Sequence, residues 1–296
     1  MPKYYDGPPR VLVGYDGTED SYAALRLGAL EALHREADLI IVNAVDDIVF
    51  GSAWGVVFDA DKAKHEAAGQ LVEAVSKAQA EGVPLERIRT DVLVGNPAAQ
   101  LSQLSGRVSL VVVGRREIAT RPYVGSTTIG LVGTARCPVI VTSASHSIPK
   151  GGWRKLTVGV DVPRNRGRVA LTWGYSVGDS YEAELTALGV VREQGGRFGR
   201  SLSGAALEKA IGTTREQVTA LVEPYEDANP DVETSIQVVA GDPLKQLVEA
   251  TKRTELMIIE VQSAFPSYAV GAIARGVMAR AHCPVGLVRA KEEYAS

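Results

Sequence analysis

Two stretches of the chain have residue types suited to holding a small molecule. The first is Gly14-Tyr15-Asp16-Gly17-Thr18-Glu19-Asp20; the second is Gly114-Arg115-Arg116-Glu117, followed shortly by Gly125-Ser126-Thr127-Thr128. In the first, Asp16 can accept hydrogen bonds from an adenosine or a similar group, but Asp16 and Thr18 also have the side chains that cap a helix. Glu19 and Asp20 come next, and acids in a first turn suit the helix dipole while repelling a phosphate. In the second, Gly125-Ser126-Thr127 opens a helix with no acid in its first turn. Backbone N–H groups, a glycine that permits close approach and two hydroxyls make an anion site there, with Arg115 and Arg116 as sources of charge. A glycine turn followed by a Ser/Thr cap explains the same residues.

Several other chemistries are excluded. The chain has no Gly-Lys dipeptide and so no P-loop, and it contains neither GxGxxG nor GxSxG. His34, His65, His146 and His282 are scattered without metal-ligand spacing, and the carboxylates form no readable acid–base pair, so no enzyme is expected. Cys137 and Cys283 each precede a proline at the start of a final strand and read as buried small apolar residues. Neither belongs to a CxxC pair, which excludes a disulfide framework or a zinc knuckle.

The elements that must position these loops are short and apolar. Val11–Val13, Leu39–Asn43, Ile88–Val94, Leu110–Val113 and Val139–Val141 read as strands buried on both faces, as in a parallel sheet. Helices fall between them at Asp20–Glu36, at Lys62–Glu81 with Ala67, Leu71, Ala74 and Ala78 on one stripe, from Asn96-Pro97 onward, and at Ser126–Ala135. Strand alternating with helix predicts a doubly wound α/β sheet, whose ligands bind beyond the carboxyl ends of the strands.

The pattern occurs twice. Val124–Thr142 and Val270–Val288 share seven of nineteen positions at an offset of 146, including the Cys-Pro-Val triplet. Val94–Leu101 matches Ala240–Leu247 at the same offset, and Val11–Asp16 matches Leu156–Asp161 at 145. A period of this length is a domain duplication rather than a solenoid. The polar stretch Ser143–Arg154, punctuated by Pro149, Gly151 and Gly152, marks the joint, giving expected domains of 1–146 and 147–296. Expected strands of the second half are Leu156–Val160, Ala183–Val190, Glu233–Val239, Leu256–Glu260 and Val285–Val288. An insert-like stretch, Arg192–Ala205, is rich in Gly, Arg and Ser.

At 296 residues, 45% hydrophobic and 23% charged, the composition is that of a folded globular protein. A net charge of −3 gives no footprint for nucleic acid or an anionic membrane. Arg164, Arg166 and Arg168 read as a solvated helix face. Met1–Arg10 lacks the apolar core of a signal peptide, and no apolar run approaches the ~20 residues of a membrane span, so the cytoplasm is the expected location.

Together, these residues resemble the universal stress protein family over nearly the whole chain, twice. The carriers are Val13–Thr18 (V-x-x-D-G-T), Val94–Pro97 (VGNP), Val111–Gly114 (VVVG), Gly125-Ser126 and Cys137–Val141 (CPVIV). The resemblance implies two tandem domains, each a five-stranded, mostly parallel sheet flanked by helices (adenine nucleotide alpha hydrolase-like) and paired through their last strands. The result is an internal pseudo-dimer, or a homodimer of chains. It also implies ATP, with Mg, at a G-x2-G-x9-G-[ST] pattern. Gly114 takes the place of the first glycine and Gly125-Ser126 that of the last pair. Arg115 and Thr127 adjoin them, Asp16 is the acid at the adenosine end, and Asn43–Val45 line the base. The chain departs from the pattern: Glu117 stands at the second glycine, and the interval from Gly114 to Gly125 is two residues short. In the second half Glu260, Ser263 and Ala272 replace the two glycines and the serine, Pro163 follows Asp161, and Asp161 and Gly271 remain. The expectation is a stress-response regulatory protein, not an enzyme, with an adenine nucleotide in its first half and a degenerate second site. The alternative is an interaction protein or scaffold that binds no nucleotide and acts through dimerisation and surface contacts.

Overall fold

In the computed structural model, which describes residues 8–45, 60–115, 123–193, 202–261 and 270–290, the apolar runs fold as strands. Val11, Leu12, Val13 and Leu110–Val112 have no exposed surface. Burying each such aliphatic side chain stabilises the sheet by roughly 1.5–3 kcal/mol. The chain divides into two compact units that meet between His146 and Ser147.

The first unit runs β1 (Arg10–Gly14), α1 (Glu19–His34), β2 (Asp38–Val45), α2 (Ala60–Ala80), β3 (Ile88–Val94), α3 (Pro97–Leu104), β4 (Leu110–Gly114), α4 (Ser126–Thr134) and β5 (Val139–Thr142). Its strand order is β3-β2-β1-β4-β5, with every adjacent pair parallel. The chain winds outward from β1 through β2 to β3, then returns to the other side of β1 for β4 and β5. That reversal opens a crevice between the carboxyl ends of β1 and β4.

The expected stripe on α2 is the buried one: Ala67, Leu71, Ala74 and Ala78 are each at most 4% exposed. β2 continues two residues past its expected end at Asn43, to Val45. β1 stops pairing with it at Gly14–Val42, so the last part of β2 overhangs the crevice.

The second unit repeats the plan with β6 (Lys155–Val160), α5 (Arg168–Tyr181), β7 (Glu184–Val191), α6 (Gly204–Ala228), β8 (Thr234–Ala240), α7 (Pro243–Ala250), β9 (Leu256–Val261), α8 (Ala272–Arg280) and β10 (Val285–Arg289). Its order is β8-β7-β6-β9-β10, again parallel throughout. Of the Arg192–Ala205 stretch, residues 194–201 lie outside the described residues; Leu202 donates its N–H to the Glu193 carbonyl at 2.7 Å. The expected helix face over Arg164, Arg166 and Arg168 does not form. Arg164 ends the one-turn helix Val162–Arg164, and α5 begins only at Arg168. Pro163 and the left-handed Asn165 and Gly167 set that boundary.

Candidate functional site

The crevice of the first unit is a cavity of about 450 Å³ at the switch point. Gly14, Tyr15 and Asp16 line it from the end of β1, and Val42, Ala44 and Val45 from β2. Val113 and Gly114 close it from β4, Pro97 and Leu101 from α3, and Gly125, Ser126, Thr127 and Thr128 from the start of α4. Six of the residues expected at the site therefore meet there: Asp16, Val45, Gly114, Gly125, Ser126 and Thr127.

Arg115 does not join them. It is 4% exposed, and its guanidinium donates to the Ser143 hydroxyl at 3.1 Å, beyond the end of β5. The residue next to a strand end points to the opposite face from its neighbour, which explains the turn away from the cavity. Arg116 and Glu117 lie outside the described residues.

The overhang of β2 leaves a hydrogen-bonding edge. Tyr15 donates its N–H to the Val42 carbonyl at 2.8 Å on the β1 side, and Gly95 donates to the Val45 carbonyl at 2.9 Å on the β3 side. Alternation along the strand therefore directs the N–H and C=O of Ala44 toward the β1 side, where the ladder has ended. Among the described residues neither group has a hydrogen-bond partner, and Ala44 lines the cavity. One donor and one acceptor thus stand side by side above apolar walls. Nothing in the residue type alanine signals this; the unequal lengths of β1 and β2 create it.

At the opposite end, Gly125 is the N-cap of α4, and no side chain caps the helix. The expected Ser/Thr cap is absent because Ser126 is already helical, while Thr128 donates its hydroxyl to the Gly114 carbonyl at 2.9 Å. The uncapped first-turn N–H groups, with the exposed Ser126 hydroxyl and no acid, give this end a positive potential.

On the β1 loop, Thr18 is the N-cap of α1 and accepts from the Ser21 N–H at 3.2 Å. Asp16 holds that cap through Oδ1, which accepts from the Thr18 N–H at 3.2 Å and hydroxyl at 2.6 Å. Its Oδ2 has no partner among the described residues. The capping role is therefore real, and it leaves one carboxylate oxygen of Asp16 uncommitted. Gly114 has a packing role as well: a Cβ there would lie 2.8–2.9 Å from the backbone and Cβ of Asp20, so only glycine lets α1 approach β4.

Among the described residues no group of three His, Cys, Asp or Glu side chains could hold a metal ion. Mg²⁺ is commonly held by one or two carboxylates together with substrate phosphates, and among the described residues Asp16 is the only carboxylate lining the cavity. Cys137 and Cys283 are 5% and 3% exposed, and burial pushes both thiols up to about 12. This matches their reading as packing residues.

The equivalent place in the second unit is built differently. β6 runs one residue further, and Val160 pairs with Gly189, one step beyond the point where the β1–β2 ladder ends at Gly14–Val42. Asp161 turns into its own small bridge with Arg166, with bonds of 3.1 and 3.0 Å, and pairs with the Arg164 guanidinium at 3.0 Å. Glu260, at the position of Gly114, accepts from the N–H groups of Gly167 at 3.0 Å and Val169 at 3.2 Å. Its carboxylate thus caps the start of α5. Ser263 lies outside the described residues.

Among the described residues no helix is long and apolar enough to cross a membrane. Comparison with known proteins agrees with the fold. Residues 8–143 match the model of the Universal stress protein family. Universal stress protein Rv2005c of Mycobacterium tuberculosis is 26% identical over 300 residues, spanning 94% of this chain and 96% of its own. Universal stress protein Rv1996 of the same organism is 24% identical over 307 residues, with 96% of each covered. Among solved structures, a universal stress protein from Archaeoglobus fulgidus superposes with a TM-score of 0.68 at 16% identity, covering 95% of this chain and 98% of that one. With that match and with relatives that run along both halves, residues 8–143 belong to the universal stress protein family, and the chain over its whole length is similar to members of that family.

Proposed function

We propose that the first unit binds an adenine nucleotide, ATP with Mg²⁺ included, and that the second unit does not. The chain then acts as a stress-response regulator in the cytoplasm, by binding rather than by catalysis, alone or as a pair of chains. The observation that carries this reading is the open N–H and C=O of Ala44 in the cavity. Adenine presents an acceptor, N1, beside a donor, its 6-amino group, and matches that edge. Guanine presents the two in reverse order. Val42, Val45, Leu101 and Val113 supply apolar walls for the ring. Asp16 Oδ2 is an acceptor for sugar hydroxyls, and the start of α4 suits phosphates.

Titration calorimetry of the full chain with ATP and Mg²⁺ tests this reading. One nucleotide per chain at micromolar affinity is expected. In Ser126→Asp the new acid stabilises the helix start but repels phosphate. That variant should lose at least about tenfold in ATP affinity while keeping adenosine binding. Absence of heat from a folded wild-type chain would leave the interaction-protein reading.

A further inference from the structure

Behind the cavity, α2 braces the loop that carries Asp16. Asn43, expected beside the base, does not line the cavity; its buried amide donates from Nδ2 to Gln70 Oε1 at 2.6 Å. Gln70 then sets its Nε2 against Gly17, where a Cβ would lie only 3.0 Å away. Gly17 has φ +79°, so the turn between Asp16 and Thr18 depends on a residue without a side chain, and the Gln70 amide fills the space beside it. Seven residues on, along the same face of α2, Lys77 donates to the Tyr15 hydroxyl at 3.3 Å and lies 4.4 Å from the centre of the Tyr22 ring. The bond to Glu73, opposed by desolvation and aided by the bond to Tyr15, raises the Lys77 pKa above the ordinary lysine value. Gln70 and Lys77 therefore hold the β1–α1 loop from outside; neither lines the cavity.

Asp16 is the residue this brace controls. Its Oδ1 is committed to Thr18, so the position of Oδ2 follows from the conformation of the turn through Gly17. We propose that Gln70, held by Asn43, is a positioning residue for the sugar end of the bound nucleotide, acting through Gly17 on Asp16. The inference rests on the adenine-nucleotide reading of the cavity. It predicts that loss of Gln70 weakens contacts to the sugar hydroxyls and leaves contacts to base and phosphate in place.

The test compares AMP with 2′,3′-dideoxy-AMP on the full-length wild type, Gln70→Ala and Asn43→Ala. Amide hydrogen exchange at Thr18 is measured without ligand, and thermal midpoints serve as a check of folding. Both variants should bind AMP about fivefold more weakly and dideoxy-AMP nearly as well as wild type, with faster exchange at Thr18. Equal losses on both nucleotides would make Gln70 a fold residue only and overturn the proposal, as would unchanged AMP affinity in a wild type that binds. A wild type that binds neither nucleotide removes the adenine-nucleotide reading and this role with it. The wild-type titration alone reveals that outcome, so the two failures are distinguishable.

Discussion

Between β1 and β4 the first unit has Gly114, and between β6 and β9 the second has Glu260 at the same point of the same topology. In each unit a carboxylate lies at the start of the helix that follows the first strand, but it comes from a different element. In the first unit Asp20, on α1, reaches out to accept from the Ala144 N–H at 2.8 Å, and its backbone needs the space that Gly114 leaves. In the second, Glu260 comes from the strand and reaches into the helix, accepting from Gly167 and Val169. The first arrangement leaves the crevice open above the strand ends. The second satisfies the helix start internally and closes the neighbouring loop through the Asp161–Arg166 bridge. The side chain at the end of the fourth strand thus sets how the helix after the first strand is capped: by Thr18 of the preceding loop where that residue is Gly114, and by the strand's own carboxylate where it is Glu260.

Exchanging the two residues should break this comparison most severely. Gly114→Glu drives a side chain into the Asp20 backbone and is expected to cost about 3 kcal/mol, as overpacking does, and to abolish nucleotide binding. Chemical denaturation with calorimetry reads both effects, and a variant that stays stable and binds would refute the packing role of Gly114. Glu260→Ala leaves two helix-start N–H groups without their charged acceptor and should cost about 2 kcal/mol, with Glu260→Gln recovering part of the loss. Thr18→Ala removes the cap of α1 and should cost about 1 kcal/mol, loosening the Asp16 turn as well. Arg164→Ala removes an ion pair whose partners are 50% and 34% exposed and should shift the thermal midpoint little.

A pH dependence separates the units further. Burial pushes the Tyr175 hydroxyl up to about 12 in the second unit, where it bonds Thr234 at 2.9 Å. The folded form holds its proton more tightly than the unfolded chain does. This contribution to stability is therefore complete below pH 10 and is lost as pH rises from 10 toward 12. Tyr175→Phe should flatten that loss in the unfolding free energy of the second unit; an unchanged slope would assign it to another group.

Much of this molecule is legible in its residues. The alternation of apolar runs and helical stripes, repeated at a constant offset, marks ten strands, five in each unit, because burial on both faces demands continuous aliphatic sequence. The loops at Asp16 and at Gly125-Ser126 are legible too, since turn glycines and capping hydroxyls have local chemistry. So is the contrast between Gly114 and Glu260, once the repeat is aligned.

Other features depend on neighbours far apart in the chain. Arg115 looks like a cation for phosphate beside Gly114, yet it packs against Ser143, because strand geometry, not sequence adjacency, sets which way it faces. Ala44 carries no side-chain signal, and its open edge exists only because β2 outlasts β1 in the register of the sheet. Gln70 sits beside the apolar stripe of a long helix, and only packing brings its amide to Asn43 and Gly17. Local chemistry and periodicity therefore determined the fold, the duplication and the place of the crevice. Which groups face that crevice, and which are held behind it, was decided by tertiary structure, because hydrogen-bond direction and side-chain orientation depend on register between strands distant in sequence.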